Sequence, residues 1–90
     1  MEAVVFQPLE NEDEKIITED DITIMRAIFY KKRYNPTIDI EEEKKKMAVD
    51  KKYLSDTFIN YGSQAHEIVE RSITKWLQAM AERGYVIELE

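Results

Sequence analysis

The chain offers few side chains that could carry out catalysis or hold a metal ion. It has 90 residues, no cysteine and a single histidine, His66, which excludes thiolate nucleophiles, zinc–thiolate sites and multi-histidine metal centres. His66 is the sole candidate general base, and a base acts only within hydrogen-bond reach of its nucleophile. The two glycines, Gly62 and Gly84, are too few for a glycine-rich phosphate loop. We therefore expect a non-enzymatic protein without a metal or cofactor, and catalysis through His66 is the weakest alternative.

Positive charge is concentrated in the middle of the chain, where it favours the binding of phosphates. The formal net charge is −6 at pH 7, yet residues 26–53 carry nine basic and five acidic side chains. Eight of these cations are candidates for DNA contacts, namely Lys31, Lys32, Arg33, Lys44, Lys45, Lys46, Lys51 and Lys52. The competing interpretation is structural: residues 44–46 balance the glutamates at 41–43, and residues 31–33 balance a helix C-terminus. The sequence leaves both interpretations open.

Negative charge is concentrated at the N-terminus. Residues 1–21 carry eight acidic side chains and one basic side chain, whereas residues 22–90 are nearly neutral. Such an acidic segment could bind a basic protein partner, or cover the basic region of its own chain. Tyrosine is enriched at interface hot spots, and the candidate interface residues are Tyr30, Tyr34, Tyr53 and Tyr61. These features support an alternative function, that of an acidic adaptor or inhibitor.

The elements that must position these side chains are mainly helices. Thr18 and Asp21 form a start that resembles a capping box and predict a helix over residues 19–34. Asp39 caps a second helical pattern over residues 40–61. A further aspartate, Asp50, could cap a new helix and break this pattern near residues 49–50, so one helix and two helices both remain possible. The last helix is predicted over residues 64–83, with a Ser63 cap and a left-handed end at Gly84.

Short strands are expected at both ends of the chain. An Ala-Val-Val-Phe run predicts a strand over residues 3–6, within an acidic N-terminal segment over residues 1–17. Residues 18–90 are predicted to form one helical domain that ends in a strand over residues 85–89. The two strands have no other obvious partner and are expected to pair. The predicted fold class is mainly α, a bundle of three or four helices with short terminal β-strands.

Two segments resemble parts of helix-turn-helix and winged-helix DNA-binding proteins. Residues 47–58, Met-Ala-Val-Asp-Lys-Lys-Tyr-Leu-Ser-Asp-Thr-Phe, are similar to a turn and recognition helix. Residues 71–87, which end in Glu-Arg-Gly-Tyr-Val-Ile, are similar to the final helix and following strand of winged-helix proteins. In the first registration, the resemblance assigns the DNA-reading role to Lys51, Lys52, Ser55 and Asp56. In the second registration, it assigns this role to Arg71, Thr74, Lys75 and Gln78.

These features predict a small regulatory protein of helix-turn-helix or winged-helix type that binds double-stranded DNA through its basic region. The expected DNA contacts are the eight cations at positions 31–33, 44–46, 51 and 52, together with Ser55. No apolar run approaches the roughly 18 residues that a membrane span needs, so we expect no membrane association and a cytoplasmic location. A homodimer is compatible with the sequence.

Overall fold

A computed structural model of the protein describes residues 15–89. Its elements are β1 (Ile16–Thr18), α1 (Glu19–Tyr34), α2 (Ile40–Val49), α3 (Lys51–Tyr61), α4 (His66–Glu82) and β2 (Val86–Glu88). The expectation of a mainly helical fold is confirmed. The strand predicted over residues 3–6 lies outside the described residues.

Helix α1 is the centre of the fold, because α2, α3 and α4 all pack against it. Its start is the predicted capping box, in which the Thr18 hydroxyl accepts from the Asp21 N–H and the Asp21 carboxylate accepts from the Thr18 N–H. The buried apolar core takes more than half of its members from this helix. The core residues are Ile17, Ile22, Ile24, Met25, Ala27, Ile28, Tyr30, Met47, Val69, Ile73 and Met80.

The helical pattern over residues 40–61 is broken into two helices at Asp50. The Asp50 N–H donates to the carbonyl of Lys46 at 2.9 Å and ends α2. The Asp50 side chain accepts from the N–H groups of Lys52 and Tyr53, both at 3.1 Å, and so begins α3. One aspartate therefore serves as the C-cap of one helix and the N-cap of the next.

The connection from α3 to α4 differs from the prediction. Helix α4 begins at His66 and not at residue 64, and its N-cap is Ala65, which makes no side-chain capping bond. Ala65 has a φ of 55°, a left-handed conformation that a right-handed helix does not accommodate. The helix therefore cannot include the residues before His66. The predicted Ser63 cap is therefore wrong, since Ser63 lies in the turn before this reversal.

The end of α4 follows the prediction. Gly84 has a φ of 95° and its N–H donates to the Ala81 carbonyl, while the Tyr85 N–H donates to the Met80 carbonyl, both at 3.0 Å. This is the bond pattern of a Schellman motif, which needs a left-handed residue after the helix. The turn directs the chain into β2.

The two described strands pair in parallel, with Ile16 opposite Val86 and Ile17 opposite Ile87. The strand at residues 16–18 was not expected, and it takes the place beside β2 that was predicted for residues 3–6. Ile17 is buried in the core, so the folded unit starts before residue 18. None of the helices within residues 15–89 combines the length and apolar character needed to cross a bilayer.

Candidate nucleic-acid interface

A buried polar cluster joins the last turn of α1 to the first turns of α2 and α3. The Glu43 carboxylate, whose residue is 5% exposed, accepts from Lys31 Nζ at 3.0 Å and from the Tyr53 hydroxyl at 2.7 Å. The Lys31 ammonium also contacts the Tyr53 hydroxyl and lies 4.5 Å from the centroid of its ring. The DNA contact of Lys31 and the protein contact of Tyr53 stay predictions. Both side chains are half-buried and bonded within this cluster, which connects the three helices.

The five lysines on either side of Asp50, which we call the junction lysines, are Lys44, Lys45, Lys46, Lys51 and Lys52. Three have acidic neighbours on their own helix: Lys44 with Glu41 at 3.7 Å, Lys46 with Glu43 at 3.8 Å and Lys52 with Asp56 at 3.2 Å. The other two, Lys45 and Lys51, are exposed and form no ion pair with another described residue. Ion pairs within one helix thus account for three of the five junction lysines.

The three lysines of α2 do not share one direction. Successive residues of a helix are about 100° apart, so Lys44, Lys45 and Lys46 spread over roughly 200° of the helix circumference. Met47 and Glu43 face the core, which leaves Lys45 on the solvent side and the other two lysines at the flanks. The junction lysines therefore surround the α2–α3 connection and do not form one flat patch.

Helix α3 presents a continuous outward face. Lys52, Ser55 and Ile59 are exposed along it, with Asp56 partly exposed beside them. These positions are spaced by three and four residues, which aligns them on one side of the helix. Its opposite side packs on the core through Leu54 and Phe58, among others. Lys52 and Ser55 are predicted site residues, whereas Ile59 is not. The apolar stripe that includes Leu54 and Phe58 was the signal for it, because this stripe leaves position 59 on the opposite side of the helix.

The last turn of α1 carries two further predicted DNA contacts, Lys32 and Arg33. Lys32 Nζ donates to the carbonyl of Pro36, in the turn after α1, at 2.9 Å. Arg33 is exposed and has no ion pair among the residues of the described range. Of the three cations predicted here, Lys31 faces a carboxylate, whereas Lys32 and Arg33 form no ion pair within residues 15–89.

The four candidate tyrosines divide into an inner and an outer pair. Tyr30 is 2% exposed, packs edge-on against Phe58 and shares a hydrogen bond of 3.0 Å with His66 Nδ1. Its place in an exposed interface is therefore corrected, because α1 turns it into the core. The rings of Tyr34 and Tyr61 stack at a centroid distance of 5.4 Å, and Tyr34 is 45% exposed.

The contact between Tyr30 and His66 belongs to a polar cluster between α1 and α4. Arg26 binds the Glu70 carboxylate through two nitrogens, at 2.7 and 3.3 Å. Burial raises the pKa of Tyr30, the charge of Glu70 raises it further, and Arg26 opposes the shift.

Burial also raises the pKa of Tyr85, whereas the charge of Arg83 lowers it. Within residues 15–89, no group of three potential ligands is arranged to hold a metal ion.

The exposed face of α4 holds the residues of the second registration. Arg71, Thr74, Lys75 and Gln78 line a shallow surface groove together with two glutamates of the same helix. Arg71 pairs with one of them, Glu67, at 3.6 Å. This face therefore carries cations and carboxylates in similar numbers.

Comparisons of the chain with protein-family models, with curated proteins and with solved structures found no match.

Proposed function

We propose that the protein is a small non-enzymatic regulator that binds double-stranded DNA through α2 and α3, in the manner of a helix-turn-helix protein. The observation that carries the proposal is the helix break at Asp50. Because of this break, lysines of two helix ends lie on either side of a single connecting residue. The α4 face of the second registration is the less favoured reading surface, since its carboxylates offset its cations.

The position of Lys51 and Lys52 supports a role in binding phosphate. Both lie in the first turn of α3, which contains no acidic residue. The helix dipole makes this end positive, and the Asp50 carboxylate already accepts from the N–H groups of Lys52 and Tyr53. The proposed phosphate contact is therefore made by the ammonium groups of the two lysines and not by these capped N–H groups. Within residues 15–89, Lys51 forms no ion pair of its own, so its charge is not offset by a side-chain carboxylate of the described range.

The ion pairs of the junction lysines do not oppose DNA binding. The pairs of Lys44 with Glu41 and of Lys52 with Asp56 are largely exposed, and such pairs contribute about 0–1 kcal/mol each. A phosphate can therefore replace these two carboxylates at little cost, whereas the partner of Lys46, Glu43, is buried. The net charge of −6 acts mainly at long range, and charges beyond about 8–10 Å are largely screened at physiological salt. A local basic surface can therefore bind DNA on an acidic protein.

Fluorescence anisotropy with a labelled mixed-sequence duplex tests this proposal. We expect binding that weakens steeply between 50 and 200 mM salt, with a log–log slope of about −0.9 per phosphate contact. The double variant Lys45→Gln/Lys51→Gln removes two cations that pair with no carboxylate in the described range and should reduce both the affinity and the slope. The matched control is Arg71→Gln/Lys75→Gln, which removes two cations from α4.

The proposal fails if the protein does not bind the duplex at 50 mM salt, or if the α2–α3 variant binds as tightly as the unmodified protein. Loss of binding in the α4 variant alone would transfer the DNA contact to the second registration.

An adaptor function is the second candidate, and the Tyr34–Tyr61 stack is the observation that favours it. Tyr34 is well exposed for a large aromatic side chain, as is typical of interface residues. On this alternative, Tyr34→Ala should weaken the binding of a basic protein partner at least tenfold, whereas the Lys45→Gln/Lys51→Gln variant should leave it unchanged. Surface plasmon resonance with the purified partner would distinguish the two surfaces.

A further inference from the structure

An apolar side chain on the outward face of α3 has no role in the phosphate contacts proposed above. Ile59 is 75% exposed, whereas Leu54 and Phe58 of the same helix pack against the core. The Ile59 side chain is therefore available to a ligand and is not part of the core.

The neighbours of Ile59 suggest what it could contact. Lys52, Ser55 and Ile59 follow one another on successive turns of the exposed face, over about 10 Å of helix. This is close to the length of three base-pair steps of 3.4 Å. The row presents an ammonium, a hydroxyl and a branched hydrocarbon to the same ligand. Such a mixture fits the edges of base pairs in a major groove, which offer polar groups and a methyl group.

We propose that Ile59 contacts the 5-methyl group of thymine in the major groove and gives the protein a preference for thymine. The inference rests on the proposed DNA binding through α2 and α3. The thymine methyl is the one apolar group that a base pair presents in this groove. Its burial against the Ile59 side chain removes hydrocarbon surface of both partners from water. Uracil forms the same base pair without this group, so the contact has a direct chemical test.

The experiment compares two duplexes of equal length, one of alternating adenine and thymine and one in which uracil replaces every thymine. In the alternating duplex, every binding register presents thymine methyl groups to α3. We expect the unmodified protein to bind the thymine duplex about three- to fivefold more tightly, the effect of burying one methyl group. Ile59→Ala should bind the thymine duplex more weakly and should bind both duplexes equally.

The control variant is Val49→Ala, which shortens another exposed apolar side chain, 84% exposed, at the end of α2. It should keep the full preference for thymine. Both substitutions are on the surface, so thermal unfolding should be unchanged.

The outcomes separate the inference from the function on which it rests. Equal affinity of the unmodified protein for both duplexes overturns the role of Ile59 and leaves DNA binding in place. A thymine preference that survives in Ile59→Ala also overturns it. If the unmodified protein binds neither duplex at 50 mM salt, the proposed function itself is wrong and the inference is overturned with it. An apolar protein partner would then be the remaining occupant of this face.

Discussion

At the scale of single residues, Glu43 has a role that its neighbours Glu41 and Glu42 do not share. All three belong to the same acidic run, but Glu43 alone faces the core and accepts hydrogen bonds from two other helices. A buried carboxylate is tolerated because Lys31 neutralises it and Tyr53 satisfies one of its lone pairs. The cluster stabilises the arrangement of α1, α2 and α3, and with it the orientation of the candidate DNA surface.

Replacement of Glu43 by Gln should lower the free energy of unfolding by about 2 kcal/mol, because Lys31 would keep a largely buried charge without a counter-ion. Urea denaturation followed by circular dichroism measures the change. The matched control is Glu42→Gln, an exposed change on the same helix that should stay within about 0.5 kcal/mol of the unmodified protein. Equal stability of the two variants would contradict a structural role for the Glu43 cluster.

At the scale of elements, α4 lies between two residues in the left-handed conformation, Ala65 before it and Gly84 after it. The conformation costs conformational free energy at one of them and not at the other. Gly84 adopts a φ of 95° without strain, since glycine has no Cβ. Ala65 adopts a φ of 55°, which costs a residue with a side chain about 1 kcal/mol or more. The end of the helix is thus well suited to its conformation, whereas its beginning is strained and lacks a side-chain cap.

Exchanging the two residue types should change the stability in opposite directions. Gly84→Ala should lower the free energy of unfolding by about 1 kcal/mol, because alanine must then adopt the left-handed region. Ala65→Gly should raise it by about 0.5 kcal/mol, since relief of the strain exceeds the added entropy of the unfolded chain. Thermal melts of both variants, measured side by side, test the pair. If both substitutions change stability in the same direction, these φ angles do not control it.

At the scale of the whole molecule, opposite charges lie in different parts of the chain. Residues 1–14 contain five acidic and no basic side chains, whereas the junction lysines lie in the middle of the chain, on α2 and α3. The summed negative charge repels DNA at a distance even when a local surface attracts it. The acidic residues could therefore reduce affinity for DNA by repulsion alone, or by covering the lysines.

Neutralising the acidic N-terminal residues should strengthen DNA binding. The changes Glu2→Gln, Glu10→Gln, Glu12→Gln, Asp13→Asn and Glu14→Gln alter the formal net charge from −6 to −1. We expect an affinity at least about threefold higher at 50 mM salt and a smaller gain at 200 mM, because salt screens the repulsion. Glu67→Gln/Glu82→Gln, two exposed changes on α4, measures the effect of removing negative charge elsewhere. An equal gain per charge in both variants would exclude a special role for the N-terminal residues.

Local signals predicted most of the helices. The caps at Thr18, Asp39 and Asp50 and the stop at Gly84 act within a few residues, so a short stretch of sequence contains all the information that they need. Asp50 also shows the limit of such signals, because residues 40–61 fit one helix or two until the geometry of the cap is known. At Ser63 the local signal was wrong, since the reversal at Ala65 delays the helix.

The sequence by itself determined the helical class, the caps at Thr18 and Asp39, the division of charge and the exclusion of thiolate chemistry. Only the tertiary structure decided which charges face solvent. Lys31 meets Glu43 and Tyr53, and β1 pairs with a strand about 70 residues later, through contacts that no local pattern encodes. The reason is physical: a helix pattern specifies which face is apolar, but the packing of one helix on another specifies which polar groups at the margin of that face are removed from water.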